Sequence, residues 1–302
     1  PNRLKAPAMH DLVIRQAWVY DGLGHAPVLG DVAIKNGLVV EMGQVSEGAA
    51  HTVDADGLSL MPGIVDLHTH FDAQITWDAS LSPSPALGVT TAVLGNCGFG
   101  IAPCPAPLRD TMLKNLSVVE GMDLDALRTG IKWDFESFSD YMAMLRRRAP
   151  YANVAVLAGH STIRTAVMGE AASQRKDATP EEIAKMKAMV GDAMANGAIG
   201  LGASYSLNHS GFGGVPMPST IAPMNELDEL VGAMGPRGKG VIAIASGVKT
   251  PQELEPMAAK WGRPFFQGTG VAMYNEQAPD RAIKIFDDCA AALRRGNGLY
   301  IQ

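Results

Sequence analysis

Cysteine, aromatic residues and charge are all scarce in this sequence of 302 residues, which has 3 cysteines, 6% aromatic residues and 19% charged residues. Three cysteines are too few for a disulfide framework and suit a reducing compartment, so we expect a cytoplasmic protein. No apolar run approaches the roughly 20 residues that a membrane-spanning helix needs. We therefore expect no membrane partner.

An excess of basic residues is also absent. The formal net charge is −6 and the sequence pI is about 5.6, whereas a general nucleic-acid binder presents a basic surface. The basic block Arg146 to Arg148 falls at the end of a predicted helix, where cations suit the helix dipole. We therefore expect no nucleic-acid partner.

Apolar residues, by contrast, are plentiful, and at 47% of the chain they are enough for a large buried core. Residues 1–61 carry short strand-like runs separated by turns. Asn36-Gly37, between two apolar runs, is a strong signal for a β-hairpin. This segment is predicted to be a small all-β unit.

Residues 62–302 alternate between short apolar runs and helical patterns. The predicted strands are 64–67, 90–94, 153–158, 198–203, 241–245, 264–267 and 299–302. Such runs are typical of parallel strands that are covered on both faces, so we predict an α/β protein. Seven strands suit a (β/α)8 barrel that is incomplete at the C-terminus. A doubly wound sheet is the alternative, although no G-x-G-x-x-G follows the first strand.

The strongest motif closes the first barrel strand, where Pro62-Gly63-Ile64-Val65-Asp66-Leu67 is followed by His68-Thr69-His70. Because strand side chains alternate, His68 and His70 point to the same side. At the carboxyl end of a barrel strand that side is the mouth, where active sites are built. Two converging imidazoles there predict metal ligands, with ordinary hydrogen-bonded histidines as the alternative.

Cys97 follows the second strand in Gly95-Asn96-Cys97-Gly98. A thiolate is a good zinc ligand and can bridge two ions, so Cys97 is the third predicted metal ligand. The alternative is a buried free cysteine that packs as a small hydrophobe, which is the interpretation we give to Cys104 and Cys289.

On these residues the chain resembles the amidohydrolase superfamily and, within it, the N-acyl-D-amino-acid deacylase (D-aminoacylase) family. The resemblance runs from about residue 9 to the C-terminus. The matching stretches are 20–22, 54–57, 61–74, 77–78, 88–91, 95–99, 159–164 and 197–200. The P-G-x-x-D-x-H-x-H element is specific to the superfamily. G-N-C-G indicates this family, because many relatives use a lysine carbamate as the bridging ligand and no lysine occurs in 198–203.

The resemblance implies a zinc-dependent amide hydrolase whose substrate is a small N-acyl amino acid. It implies a TIM-like barrel of the metal-dependent hydrolase type, with strands 1 to 7 in 62–302, and a small β-sandwich portion in 1–61. The family uses an aspartate after the eighth strand as general acid/base, a position past Gln302. Barrel edges without their last strand invite association, so a homo-oligomer is a candidate state.

The chain departs from the family at two positions. The family pattern places metal-binding histidines after the fifth and sixth strands, but these strands lead here into Ser246-Gly247 and Gln267-Gly268. We therefore expect weak metal affinity, and little hydrolytic activity from residues 1–302 alone.

Three further residues are predicted to bind substrate. His160 follows the third strand and faces the mouth. Arg164 can bind a substrate carboxylate in bidentate fashion, or else pairs with a structural acid. His209 lies in a loop and is a candidate substrate contact, lid residue or substitute ligand. Two other functions stay open, namely an amidohydrolase that acts on cyclic amides and a catalytically impaired homologue.

Overall fold

The computed structural model of the protein describes residues 10–247, 249–268 and 276–302. Its residues form two compact units, one that ends at Ile64 and one that begins at Val65. No helix in these described ranges is long and apolar enough to cross a membrane.

The first unit contains a five-stranded sheet. Its strands are β1 (His10–Val19), β2 (Val28–Lys35), β3 (Leu38–Gly43), β4 (Ala49–Asp54) and β5 (Ser59–Leu60). The sheet order is β3-β2-β1-β4, with β5 paired to β1. The hairpin predicted at Asn36-Gly37 is confirmed, because β2 and β3 pair antiparallel and both turn residues have positive φ, 52° and 74°.

β1 is a single strand, although its apolar runs at 12–14 and 17–19 are separated by two polar residues. The register of β1 against β2 shifts between Ile14 and Ala17, where Gln16 has φ 55°. Such a bulge interrupts the alternation of apolar residues without ending the strand, so the sequence alone suggests that the strand stops there. Only one sheet is present in residues 10–64. The second layer of a sandwich stays a prediction.

The second unit alternates strands and helices. Its strands are β6 (Ile64–Asp66), β7 (Val89–Leu94), β8 (Asn153–Gly159), β9 (Gly200–Ser204), β10 (Val241–Ala245), β11 (Phe265–Gly268) and β12 (Leu299–Ile301). Its helices are α1 (Arg109–Val119), α2 (Leu124–Gly130), α3 (Phe138–Arg148), α4 (His160–Met168), α5 (Pro180–Ala195), α6 (Pro218–Ile221), α7 (Met224–Gly232), α8 (Pro251–Trp261) and α9 (Arg281–Arg294).

All seven predicted barrel strands are present, and they lie side by side in chain order from β6 to β12. The pairs from β7 through β12 are parallel. A doubly wound sheet reverses its strand order at a switch point, and this sheet does not, so that alternative is wrong. The helices α5 and α8 both begin at the proline of a Thr-Pro pair, and Thr179 and Thr250 each form a reciprocal capping box.

The sheet curls so that its two ends approach each other. Gln302, just after β12, donates from Nε2 to the carbonyl oxygen of Leu67, just after β6, over 3.3 Å. One apolar cluster, built on Val93, Leu157 and Ala243, contains strand residues alone and lies inside the curl. A much larger cluster packs the outer strand faces against the helices.

The turn after β7 also lies inside the curl, against the backbone of neighbouring strands. A Cβ atom on Gly202 would stand 2.1 Å from the carbonyl oxygen of Gly95, and a Cβ atom on Gly95 would stand 2.2 Å from that of Leu157. Real Cβ atoms do not approach backbone this closely, so both positions require glycine. This close packing fixes the turn that carries Cys97.

The variant Gly202→Ala is therefore expected to lose about 1–3 kcal/mol of stability, because the added methyl group overpacks this contact. Urea unfolding would measure the loss. The matched control is Gly191→Ala in α5, where the new methyl group would meet only a carbonyl oxygen 3.8 Å away. Equal stability of the two variants would contradict the proposed role of the close contact.

Candidate metal centre and active site

The structure brings together the three predicted metal ligands. His68 and His70 follow β6 with their ring centroids 5.3 Å apart. Cys97 lies in the turn after β7, and its Sγ is 3.2 Å from Nε2 of His68. One ligand atom from each of the three residues lies within 4.8 Å of the other two. Their convergence is observed, and their metal-binding role stays a prediction.

Backbone strain and hydrogen bonds hold the Cys97 turn. Cys97 has φ 55° and ψ 8°, a left-handed conformation that a non-glycine residue rarely adopts and that concentrates at functional sites. The Asn96 side chain donates to the carbonyl oxygen of Val93 over 2.8 Å. The Asp72 carboxylate accepts from the backbone N–H of Gly95 over 3.1 Å. These contacts over-determine the turn and aim the thiol at the histidines.

A second set of contacts orients the two imidazoles. Nδ1 of His68 is 2.9 Å from Oε1 of Gln302, which leaves Nε2 toward Cys97. Nδ1 of His70 is 3.2 Å from Oε1 of Glu120, whose side chain is 9% exposed. Histidines that bind metals usually donate their other ring N–H to a carboxylate or an amide oxygen. His68 has that arrangement, whereas Glu120 lies within ion-pair distance of Nδ1 of His70 without a well-directed hydrogen bond.

The charges of the group favour a thiolate beside protonated imidazoles. Burial opposes ionisation of Cys97, but hydrogen bonds with His68 and His70 lower the pKa of its thiol. Burial likewise opposes protonation of His70, yet Cys97 and Glu120 raise its pKa to about 10. The hydrogen bond with Cys97 raises the pKa of His68. The surroundings of these three residues therefore stabilise protonated imidazoles next to the sulfur of Cys97.

A zinc ion fits this donor set. Tetrahedral zinc with bonds of about 2.0–2.3 Å separates its ligands by roughly 3.3–3.8 Å, and catalytic sites supply three protein ligands and leave one position open. Two imidazoles and a thiolate within 4.8 Å of one another provide such a set without rearrangement of the backbone. Zinc binds a thiolate and unprotonated imidazoles, so its binding would displace the imidazole protons.

The ends of β10 and β11 add no imidazole. Gln267 donates from Nε2 to Sγ of Cys289 over 3.1 Å, so its side chain turns toward α9. At Gly268 a Cβ atom would stand 2.9 Å from Cε1 of His68. A larger side chain there would therefore displace His68 from its present position. Ser246, at the end of β10, is 7% exposed.

His160 and Arg164 lie in the core and do not line an accessible surface. Both side chains are 0% exposed. Nε2 of His160 is 2.8 Å from Oε1 of Glu226, and Arg164 pairs with the other carboxylate oxygen. Arg164 also donates to the carbonyl oxygens of Ala172, Arg175 and Lys176. The pairing with a structural acid, one of the two roles left open for Arg164, is the observed one, and its guanidinium is not presented to a substrate.

His209 lies beside the three-donor group but outside it. Its ring packs edge-on against Phe99 with centroids 5.0 Å apart, and Phe99 stacks on His70 at 6.2 Å. Nδ1 of His209 is 2.7 Å from Oγ of Ser204. Burial, helped by the charges of His70 and His68, lowers the pKa of His209. A neutral imidazole therefore faces this region near pH 7.

A cavity of about 430 Å³ opens at the carboxyl ends of β9, β10 and β11. Its lining includes three cationic side chains, those of Lys249, Arg281 and Lys284, and one acidic side chain, that of Asp288. Gln267 also lines it, next to the residue that approaches His68. The cavity therefore carries an excess of cationic side chains that suits an anionic group.

Sequence reasoning missed Glu120, Gln302, Asp72 and Glu226. Glu120 caps the carboxyl end of α1, and no local pattern distinguishes it from a surface glutamate. Asp72 follows His70 by two residues and lies within a stretch that carried the family resemblance, which was the one available signal. The partners of Glu226 are 62 and 66 residues away in the chain.

Residues 51–296 match the amidohydrolase family model. The chain belongs to that family.

Among curated proteins, D-aminoacylase of Alcaligenes xylosoxydans xylosoxydans is 37% identical over 65% of this chain and 38% of its own length. N-acyl-D-aspartate deacylase of the same organism is 31% identical over 79% of this chain and 43% of its own length. A solved D-aminoacylase structure, described for its binuclear metal centre, is 27% identical with a TM-score of 0.74, over 97% of this chain and 58% of that one. The predicted resemblance is thus confirmed, and the chain spans about two fifths of the length of these curated relatives.

The variant Cys97→Ser is expected to lose one equivalent of bound zinc, because a serine hydroxyl is a far poorer zinc ligand than a thiolate. Elemental analysis after dialysis would measure this. Cys104→Ser is the control, since burial raises the pKa of the Cys104 thiol to about 12 and no ligand candidate joins it. Undiminished zinc in Cys97→Ser would exclude the thiol as a ligand.

Glu226→Gln is expected to destabilise the fold by about 3–5 kcal/mol, because it leaves the buried charge of Arg164 without its partner. His160 and Arg164 outweigh burial and keep the pKa of Glu226 below its ordinary value. The stabilisation is therefore present above about pH 4.5 and is lost as the pH falls through the lowered pKa.

Chemical denaturation at pH 7 and in acid would measure both effects. Glu229→Gln on the same helix is the control, because its ion pair with Lys187 is exposed and should contribute at most about 1 kcal/mol. Equal stability of the two variants would mean that Arg164 does not depend on the carboxylate.

Proposed function

We propose that the chain supplies the metal centre and part of the substrate site of a zinc-dependent N-acyl-D-amino-acid deacylase. Such an enzyme converts an N-acyl-D-amino acid and water to a D-amino acid and a carboxylate. The observation that carries the proposal is the convergence of His68, His70 and Cys97, with oxygen partners on Nδ1 of both imidazoles. Curated relatives with the names D-aminoacylase and N-acyl-D-aspartate deacylase support the substrate class.

His68, His70 and Cys97 would hold the zinc ion. When bound, zinc would activate water and polarise the scissile carbonyl group. Gln302 holds Nδ1 of His68 by a hydrogen bond, and Glu120 places a carboxylate oxygen 3.2 Å from Nδ1 of His70, so both rings would be positioned before any ion arrives. Asp72 would stabilise the same geometry, because its carboxylate accepts a hydrogen bond from the backbone N–H of Gly95 in the Cys97 turn.

The substrate carboxylate would bind in the cationic cavity. Each guanidinium nitrogen of Arg164 donates to a partner in the core, so Arg164 does not take this role in the proposal. Arg281, Lys249 and Lys284 take it instead. His209, neutral near pH 7 and packed on Phe99, would contact the acyl or amide group through the ring edge that Ser204 leaves free. The proton for the leaving amine would come from the aspartate that the resemblance places after an eighth strand.

We also infer the finer architecture from the curl of the sheet. Residues 62–302 would form strands 1 to 7 of a (β/α)8 barrel, and residues 1–61 part of a β-sandwich. The three cysteines, all free and buried, support a cytoplasmic location. Open edges at β6 and β12 would permit a homo-oligomer.

The proposal predicts hydrolysis of N-acetyl-D-amino acids, but not of their L enantiomers, by the full natural chain loaded with zinc. Cys97→Ala and His68→Ala should each lower kcat/KM by about 100-fold or more, because both remove donors from the ion. Cys104→Ala is the control and should retain the rate. Residues 1–302 assayed beside the full chain would show how much of the rate this portion supports.

A full chain that hydrolyses cyclic amides and no N-acetyl-D-amino acid would replace the proposed substrate class. A full chain that binds zinc and hydrolyses neither would favour a binding protein. Activity that persists in Cys97→Ala would refute the proposed metal centre.

A further inference from the structure

A second group of ligand-type side chains lies in the first unit, whereas His68, His70 and Cys97 belong to the second. His10 begins β1, Glu41 lies in β3, and Glu47 lies in the segment 44–48 between β3 and β4. Nε2 of His10 is 3.4 Å from Oε2 of Glu47 and 3.7 Å from Oε2 of Glu41. One ligand atom from each residue lies within 4.8 Å of the other two.

His10 is buried without the partners that its ring needs. The residue is 6% exposed, and within the described ranges neither ring nitrogen has a hydrogen-bond partner. A buried polar group in native structure is normally paired, and an unpaired one indicates an ion or water. The ring is aimed between two carboxylates, at separations longer than the roughly 3.2 Å limit of a good hydrogen bond.

The two carboxylates also lack a cation. Among the residues that the structure describes, no lysine or arginine forms an ion pair with the carboxylate of Glu41 or Glu47, although Arg15 donates to the backbone carbonyl oxygen of Glu47 over 3.4 Å. The carboxylates are 42% and 39% exposed, so solvent screens part of their mutual repulsion, and a cation between them would relieve the rest.

The spacing matches a metal coordination shell. Ligands held at about 2.0–2.2 Å in tetrahedral geometry stand roughly 3.3–3.6 Å apart, close to the two distances from Nε2 of His10. One imidazole and two carboxylates suit zinc or a similar first-row divalent ion, whereas calcium and magnesium prefer oxygen ligands alone.

We propose that His10, Glu41 and Glu47 form a zinc-type site in the first unit, with solvent in the remaining position. The site contains no thiolate and is separate from the group of His68, His70 and Cys97. An ion there would cross-link β1, β3 and the segment 44–48, of which β1 and β3 are not neighbours in the sheet. It would therefore stabilise the N-terminal unit.

The test uses the whole chain with the barrel ligands removed by His68→Ala and Cys97→Ser. Zn²⁺ is titrated calorimetrically, and Co²⁺ is titrated by absorption, where thiolate charge transfer marks any binding that involves cysteine. We expect one remaining equivalent of Zn²⁺, a Co²⁺ spectrum without thiolate charge transfer, and a higher Tm with zinc than without it.

Adding Glu41→Gln and Glu47→Gln should abolish this equivalent and the zinc-dependent rise in Tm, and so should His10→Ala. The double glutamine variant keeps side-chain size, so it tests the site even where His10→Ala fails to fold. His51→Ala and Asp56→Asn, at exposed positions of the same unit, are the matched controls and should retain the ion.

Three results would overturn the proposal. In the first, the chain with His68→Ala and Cys97→Ser binds no zinc at all. In the second, its zinc binding survives the double glutamine substitution. The third result is a change in Tm on His10→Ala that is the same with and without zinc. The last outcome would indicate that a protonated His10 bridges the carboxylates without a metal.

Discussion

The absence of side chains at Gly95 and Gly202 is the constraint on which the site depends. A Cβ atom at position 202 would stand 2.1 Å from the Gly95 carbonyl oxygen. The turn after β7 therefore fits inside the curled sheet only because these positions carry no side chain. This turn carries Cys97, in a left-handed conformation, to within 3.2 Å of His68. The cost of the strained residue is offset by the hydrogen bonds that Asp72 and Asn96 make to the same turn.

The curl of the sheet brings a further residue, Gln302, into contact with a predicted metal ligand. Gln302 is separated from His68 by 234 positions in the chain, yet their side chains meet because the sheet bends its last strand toward its first. Glu120 reaches His70 from the end of α1. Gln302 and Glu120 each lie beside Nδ1 of one predicted histidine ligand. The orientation of each imidazole ring therefore depends on tertiary structure, whereas the two histidines themselves are given by the three consecutive residues 68–70.

This division explains what the sequence could predict. The strands, the hairpin at Asn36-Gly37 and the capping boxes follow from local patterns of apolar, glycine and capping residues, and so does the pair His68 and His70. Glu226 and Gln302 could not be found in this way, because their partners are more than sixty residues away. Arg164 shows the same limit, since a motif position alone does not distinguish a guanidinium that is buried with an acid from one that is offered to a substrate.

The residues that follow the strands differ in kind from one part of the curled sheet to another. The donors His68, His70 and Cys97 all follow β6 and β7, whereas the ends of β9, β10 and β11 surround a cavity with three cationic side chains. A histidine at position 268 would collide with His68 where that ring now stands. Glycine at position 268 therefore permits the present position of His68, and the cationic cavity lies at the ends of other strands than those that carry the three predicted ligands.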